Sequence, residues 1–168
     1  MNLTDICPLE TWENLEKELF EKYHFQGSVF TPEGVRISSV KNFSNQLCPA
    51  IKAHEKGQTY ICSAAHMSMT AMAKNSGEPE VEECDAGLIK VVVPIFHKDE
   101  FVGVAGGCGL LAHDDEVDTF AVSKIADMDE DQIKDLAGSV PRVSDETIAA
   151  VTQFIQDRIR RILASCDQ

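Results

Sequence analysis

The segment from residue 88 to residue 111 constrains the fold more than any other part of the chain. Leu88–Phe96 is mostly apolar and rich in β-branched residues, which favours a buried strand. His97–Glu100 is typical of a tight polar turn, and Phe101–Leu111 continues as a second apolar strand. The pattern predicts an antiparallel hairpin at the centre of a sheet, with Pro94 near a bulge or an edge because proline lacks an amide proton.

A second and shorter hairpin is predicted upstream of this one. Gly27–Thr31 has strand-forming residues, Pro32–Gly34 is a turn tripeptide, and Val35–Ile37 is expected to return as a strand. Between the two hairpins, the periodicity from Ser44 to Asn75 predicts two helices linked at Lys56–Gly57.

Helical periodicity also marks both ends of the chain. Apolar residues around Trp12 recur at three- and four-residue steps, which predicts an N-terminal helix over about residues 9–24. Ser144 is expected to cap a C-terminal helix over about residues 144–164. Its aliphatic stripe from Ile148 to Ile162 suggests a docking surface for a signalling or regulatory protein, or the interface of a homodimer.

These elements predict a fold class and a domain organisation. Glu116–Ile125 and Asp129–Leu136 add two short acidic helices, and no alternation of strand, helix and strand calls for a parallel sheet. We therefore expect an α+β fold, with an antiparallel sheet flanked by helices. The length of 168 residues suits one domain over residues 1–168, with its core over about residues 25–138.

The charge of the chain argues against several classes of partner. It has 28 Asp and Glu against 15 Lys and Arg, a formal net charge of -13, which repels phosphate backbones and anionic lipid head groups. The first residues do not form a signal peptide, and no apolar run has the length of a bilayer span. We therefore expect a cytoplasmic protein that binds neither nucleic acid directly nor a membrane.

Six cysteines are many for a cytoplasmic domain of this size. Because cellular thiols keep structural disulfides from persisting there, these cysteines are not expected to staple the fold. One hypothesis makes Cys48, Cys62, Cys84 and Cys108 the thiolate ligands of zinc or an iron–sulfur cluster, with His66 on the same helical face as Cys62. The alternative is that they are buried as small apolar side chains, since no Cys-x-x-Cys pair occurs among them.

Catalysis is not expected from these residues, and no catalytic residue is predicted. A nucleophilic Cys84 needs a histidine base and an orienting partner, and the spacing places none of the five histidines beside it. Gly103–Gly109 lies in an apolar strand pattern and lacks the Gly-Lys-Ser/Thr that holds a nucleotide. Its glycines are expected to let a ligand or a helix approach the sheet.

Several short motifs follow one another along the chain: Cys48, Gly57, Cys62, Cys84–Leu88, Val93–Ile95, Val102–Gly103, Ala105–Gly107, Asp129–Ile133 and Val140–Val143. In this combination and order, they resemble the PocR-type sensory domain over nearly the whole chain. The resemblance implies a variant PAS-like fold and a sensor of small hydrocarbon derivatives such as short diols. Family members often precede histidine kinases, transcription activators or chemotaxis modules, so it also implies signalling through another protein.

Together these predictions lead to the hypothesis that a small organic ligand binds between the central sheet and the helices around Cys48 to Met72. The expected ligand-binding residues are Cys48, Cys62, His66, Cys84, Ala86, Gly87, Gly106, Gly107 and Cys108. Ligand binding is expected to shift the packing of the terminal helices, which would carry the output.

Overall fold

The computed structural model describes residues 1–168 and confirms the predicted α+β class, with an antiparallel sheet flanked by helices. The strands are β1 Gln26–Phe30, β2 Glu80–Glu83, β3 Ile89–His97, β4 Glu100–Ala112 and β5 Arg142–Val143. The first four pair antiparallel in the order β1-β4-β3-β2, and β5 adds a short parallel pairing at the end of β4.

The helices lie on both faces of this sheet. They are α1 Leu3–Ile6, α2 Leu9–Tyr23, α3 Leu47–Ala53, α4 Glu55–Gly57, α5 Ala64–Ser76, α6 Thr119–Ala126, α7 Glu130–Ala137 and α8 Asp145–Cys166, with a π-helix, Gln58–Ser63, between α4 and α5. The predicted cap of α8 is confirmed, since the amide of Thr147 donates to the hydroxyl of Ser144. None of the helices combines the length and the apolar character needed to cross a bilayer.

The central hairpin is confirmed as β3 and β4. Lys98 and Asp99 form its turn with φ of 50° and 68°, the left-handed region that tight hairpin turns require. Pro94 pairs with Val104 on one side, while β2 pairs with β3 only as far as Val92. Pro94 therefore lies beside an open edge, as its missing amide proton predicts.

One face of the sheet is covered by α1, α2 and α8. A core of 20 buried residues fills this layer, and Trp12, Leu15, Val91 and Ile155 in it have no exposed surface. The aliphatic stripe of α8, from Ile148 to Ile162, belongs to this core. The surface that suggests a homodimer is thus buried within the chain itself, so the stripe gives no support to dimerisation.

The opposite face has a smaller apolar core. Successive side chains of a strand point to opposite faces, so Val92 lies on this side, where it packs with Val104, Met69 and Ala73 in a cluster of four buried residues. A separate cluster of 12 buried residues joins α3, α6 and α7 beside it. A cavity lies between the sheet and the segment formed by α3, the π-helix and α5.

A disulfide joins the ends of the chain. Cys7 follows α1 and Cys166 closes α8, and their Cα atoms are 5.7 Å apart although 159 positions separate them in the sequence. The expectation that the cysteines form no structural disulfide is wrong for this pair. The reason is tertiary, because α1 and α8 pack on the same face of the sheet and bring their ends together.

Two local expectations need correction. After Phe30 the chain turns back as predicted, with an antiparallel bridge between Phe30 and Arg36 and backbone hydrogen bonds from Thr31 to Val35 and from Ile37 to Val29, but the returning segment Val35–Ile37 is too short to form a second strand. The break in the middle helices falls at His54, whose backbone is extended, and not at Lys56–Gly57. Gly57 lies inside the helical run, where a side chain would collide with the carbonyl oxygen of Ile51.

Candidate functional site

The cavity on the α5 face has a volume of about 200 Å³. Strands β1, β3 and β4 form one wall, and α3, the π-helix and α5 form the other. The polar, charged and thiol side chains that line the cavity are Gln26, Glu33, Cys48, Lys52, Gln58, Cys62, Ser63, His66, Cys84, Lys90 and Cys108. Five of the nine predicted ligand-binding residues thus share one cavity: Cys48, Cys62, His66, Cys84 and Cys108.

The π-helix supplies one part of this wall. Gln58, Cys62 and Ser63 all line the cavity, and the Nε2 of Gln58 donates to the Oγ of Ser63 at 3.1 Å. A π-helical turn is wider than an α-helical turn and occurs frequently at functional sites. In this protein the π-helix contains Cys62 and leads into α5, which contains His66, and both side chains line the cavity.

Amide side chains position two of the four free thiols. The Nδ2 of Asn45 lies 3.4 Å from the Sγ of Cys48, and its Oδ1 accepts from the Cys48 amide at 2.7 Å. The same Nδ2 donates to the carbonyl of Gly109 at 2.7 Å, which ties the start of α3 to β4. The Nε2 of Gln26 lies 3.6 Å from the Sγ of Cys108.

Three of the thiols in the cavity, those of Cys48, Cys62 and Cys84, have raised pKa values that favour the protonated form. Burial, and next to it the proximity of Cys108, raises the pKa of Cys48 to about 12. Burial also raises the pKa values of Cys62 and Cys84, although Lys52 opposes the shift at Cys62. Protonated thiols are poor nucleophiles and poor metal ligands. The structure contains no group of three His, Cys, Asp or Glu side chains that could hold a metal ion.

His66 lies against the sheet with an unsatisfied ring nitrogen. Its ring packs against that of Phe30 with 3.9 Å between centroids and 38° between the ring planes, and its Nε2 is 3.4 Å from the hydroxyl of Thr70. Its Nδ1 is buried and has no hydrogen-bond partner, in a residue that is 6% exposed. Burial, then the positive charges of Lys90 and Lys52, lowers the pKa of His66 to about 4, so the ring is neutral near pH 7.

Two lysines in the cavity wall are functional candidates that sequence reasoning missed. Lys90 lies in β3 and is 9% exposed. Lys52 lies in α3, and its side chain is exposed to solvent. Neither ammonium group has a carboxylate oxygen within 4.0 Å. A signal for Lys90 was present, because it is the one charged residue in the otherwise apolar Leu88–Phe96. Lys52 has no comparable signal.

The remaining predicted ligand contacts do not line this cavity; they are Ala86, Gly87, Gly106 and Gly107. Gly87 has a φ of 87°, and a Cβ on it would lie 2.8 Å from the carbonyl oxygen of Glu116. A Cβ on Gly107 would lie 3.0 Å from the Cβ of Phe25. These glycines thus allow close packing within the protein. Gly109, which was not predicted, lines the cavity and makes room for the side chain of Gln26.

Comparison with known proteins identifies the family of this fold and cavity. The model of a protein family described as the sensory domain found in PocR matches residues 5–166. No curated protein and no solved structure matches the chain. The match extends from α1 to the end of α8 and includes every residue that lines the cavity. The chain therefore belongs to the family of PocR sensory domains.

Proposed function

We propose that this sensory domain binds a small organic ligand in the cavity between α3, α5 and the sheet, and that it signals to a partner protein. The observation that carries the proposal is the cavity itself, where five residues expected from the sequence to bind a ligand come together. Apolar side chains such as Phe30 and Leu88 share its walls with a few polar groups. Small-molecule sites have this mixed character.

The volume and the polar groups suit a small ligand. About 200 Å³ is below the usual size of a drug-binding pocket, so the proposed ligand is a compound of few carbon atoms. The unpartnered Nδ1 of His66 offers one fixed hydrogen-bonding position. The raised pKa values of Cys48, Cys62 and Cys84 favour thiols that form the wall and do not act as nucleophiles.

The sheet offers a physical route for the signal. Lys90 lines the cavity, whereas its neighbour Val91 packs in the core below α8. A ligand that displaces β3 therefore displaces the surface on which α8 rests, provided that it binds two arrangements of the sheet with different affinity. We place the output at α2 and α8, whose outer surfaces are the proposed docking site for a signalling or regulatory protein.

The proposal is tested by filling the cavity. Ala65→Leu adds a larger side chain to the cavity wall, and Ala71→Leu makes the same change at an exposed position of the same helix. Short diols, alcohols and acids are screened by thermal shift, since a ligand at 100 times its Kd stabilises the folded state by about 2.7 kcal/mol. A compound that stabilises the wild type and Ala71→Leu, but not Ala65→Leu, supports the site. Equal stabilisation of both variants contradicts it.

A second candidate function is a metal-dependent redox sensor. The observation in its favour is that the four free thiols, of Cys48, Cys62, Cys84 and Cys108, all line one cavity. Zinc or an iron–sulfur cluster would need them to deprotonate and approach one another, because no group of three ligands stands ready for a metal. His66 is near enough to the same cavity to join such a set.

Metal and sulfide content, with an absorption spectrum of protein purified without oxygen, separates the two candidates. Near-stoichiometric metal that is lost in Cys84→Ala supports the redox sensor and contradicts the organic ligand. A folded, colourless and metal-free protein contradicts the redox sensor. The double variant Cys7→Ser, Cys166→Ser is the control, since both cysteines lie outside the cavity and neither is left as an unpaired thiol.

A further inference from the structure

One end of the cavity carries an unbalanced positive charge. Lys52 and Lys90 both line the main cavity and also an adjoining hollow of about 50 Å³. They approach from opposite walls, α3 and β3. Both are close enough to His66 and to Cys62 to affect the ionisation of each side chain electrostatically. The two ammonium groups therefore act on the same small volume.

No carboxylate of the protein neutralises this pair. Glu33 lines the cavity, and Glu82 stands opposite Lys90 in the register of β2 and β3, but neither forms an ion pair with a lysine. The chain has 28 acidic residues and a net charge of -13, so carboxylates are abundant elsewhere on it. The local excess of positive charge is thus opposite in sign to the protein as a whole.

An ammonium group removed from water is unfavourable unless an anion or hydrogen-bond acceptors meet it. Lys90 is only 9% exposed and makes no hydrogen bond to another protein group. The Nδ1 of His66, a side chain more than nine-tenths buried, also has no partner in the same cavity. Two independent kinds of group, a cation and a neutral ring nitrogen, are therefore left without partners where a ligand is proposed to bind.

We propose that the ligand is a short organic acid whose carboxylate is held by Lys90 and Lys52. This inference rests on the proposed function and specifies the chemical class of the ligand. The carboxylate meets the two ammonium groups, a polar group of the ligand hydrogen-bonds to His66, and the carbon chain contacts Phe30 and Leu88. The apolar contacts distinguish an organic acid from an inorganic anion, which would leave that surface unused.

Matched pairs of compounds test the charge directly. Acetate is compared with ethanol, lactate with 1,2-propanediol, and butyrate with 1-butanol, so that each pair differs chiefly in the carboxylate. Inorganic phosphate is added as an anion without carbon. Binding is followed by NMR shifts of the backbone amides of Cys84, Gly109 and Ser63, which line the cavity. We expect at least one acid to bind tenfold or more tightly than its alcohol, because hydrogen bonds to charged groups are the stronger ones.

Charge-neutral variants then locate the binding. Lys90→Gln is expected to weaken binding of the acid by about tenfold or more, since this residue lines the cavity and is only 9% exposed. Lys52→Gln is expected to weaken it by about two- to fivefold, because the side chain is exposed and solvent screens its charge. Lys56→Gln removes the same charge at an exposed position outside the cavity and is expected to leave binding unchanged.

Each other outcome overturns a stated part of the proposal. If an alcohol binds the cavity as tightly as its acid, the organic-acid inference fails and the proposed ligand cavity stands. If phosphate binds as tightly as the best acid, the site is one for a simple anion and the inference fails. If no compound of either class shifts the cavity amides at 100 mM, both the inference and the proposed small-ligand function are contradicted. Folding of each variant is checked by its amide spectrum.

Discussion

The two faces of the sheet are built in different ways. The face under α1, α2 and α8 is filled by 20 buried residues, nearly all aliphatic or aromatic. A disulfide joins Cys7, which follows α1, to Cys166 at the end of α8. The face under α5 has a core of four residues beside a cavity that contains thiols, lysines and a histidine. The same strand, β3, serves both faces through alternate side chains.

The difference shows where stability and recognition reside in this chain. Close packing of apolar side chains on the α8 face stabilises the fold, whereas the cavity beside α5 contains the unpartnered Nδ1 of His66 and two lysines that have no carboxylate oxygen within 4.0 Å. Unsatisfied polar groups and unfilled volume lower the stability of a fold, so they persist where they serve another purpose. The contrast predicts that substitutions on the two faces change the free energy of unfolding by different amounts, and in one case in the opposite direction.

The largest effect is expected on the α8 face. Trp12 has no exposed surface, and its Nε1 donates to the carbonyl of Leu3 at 3.1 Å. Trp12→Ala is expected to lower the free energy of unfolding by about 3–5 kcal/mol, through the lost contacts and the cavity that remains. Lys17→Ala, on the exposed side of the same helix, is expected to change it by less than about 0.5 kcal/mol. Urea unfolding followed by circular dichroism compares them, since Trp12 is the single tryptophan of the chain and its removal abolishes tryptophan fluorescence, and equal effects would remove the contrast.

The second effect concerns the disulfide. Cys7→Ser with Cys166→Ser is expected to lower the free energy of unfolding by about 2–4 kcal/mol, because the link restricts the unfolded chain. A reducing agent should lower the stability of the wild type to that of the double variant and leave the variant unchanged. Wild-type protein whose urea midpoint does not respond to reductant would show that the link does not stabilise this face.

The third effect is a pH dependence of the α5 face. The pKa of His66 is about 4 in the folded protein, below the ordinary 6.5, so between these values the unfolded chain binds a proton that the folded chain does not. Stability from this source is therefore present above pH 6.5 and is lost as the pH falls towards 4. We expect the loss between pH 7 and pH 5 to be smaller in His66→Gln by about 1–2 kcal/mol. Identical pH profiles of the free energy of unfolding would contradict the buried, neutral ring.

The smallest expected effect has the opposite sign. Lys90→Met removes a charge that has no carboxylate partner, in a residue that is only 9% exposed, and we expect the free energy of unfolding to stay constant or to rise by up to about 1 kcal/mol. Lys56→Met, at an exposed site, serves as the reference. A loss of more than about 1 kcal/mol at Lys90 would mean that its ammonium group stabilises the fold, and the distinction between the two faces would then be weaker.

Much of the fold could be predicted from the sequence, because its signals are local. The β3–β4 hairpin and the two terminal helices follow from periodicity and turn chemistry within short windows. The disulfide could not be predicted, since Cys7 and Cys166 meet only after two helices pack on one face. The helix break at His54 could not be predicted, because Gly57 gave the stronger sequence signal for a break. In the structure Gly57 is helical, and its lack of a side chain allows the carbonyl oxygen of Ile51 to approach closely.

The candidate site could be predicted only in part. The four free cysteines and His66 were singled out by residue type, as side chains that can bind a ligand or a metal. The structure places all five in the wall of one cavity. Gly106 and Gly107 were expected to face a ligand, yet a glycine in a strand signals close approach without saying what approaches. Lys52 is an exposed lysine near the end of α3, and only the three-dimensional arrangement shows that it lines the cavity and has no carboxylate oxygen within 4.0 Å.

The link between Cys7 and Cys166 also has a mechanical consequence. Tension applied across these two positions passes through a covalent connection that spans 5.7 Å between Cα atoms, and it does not reach the sheet. The oxidised domain is therefore almost inextensible between these points, whatever the strength of its hydrogen bonds. After reduction, the same tension falls on α1 and α8 and is carried into β3, the strand shared by the packed face and the cavity.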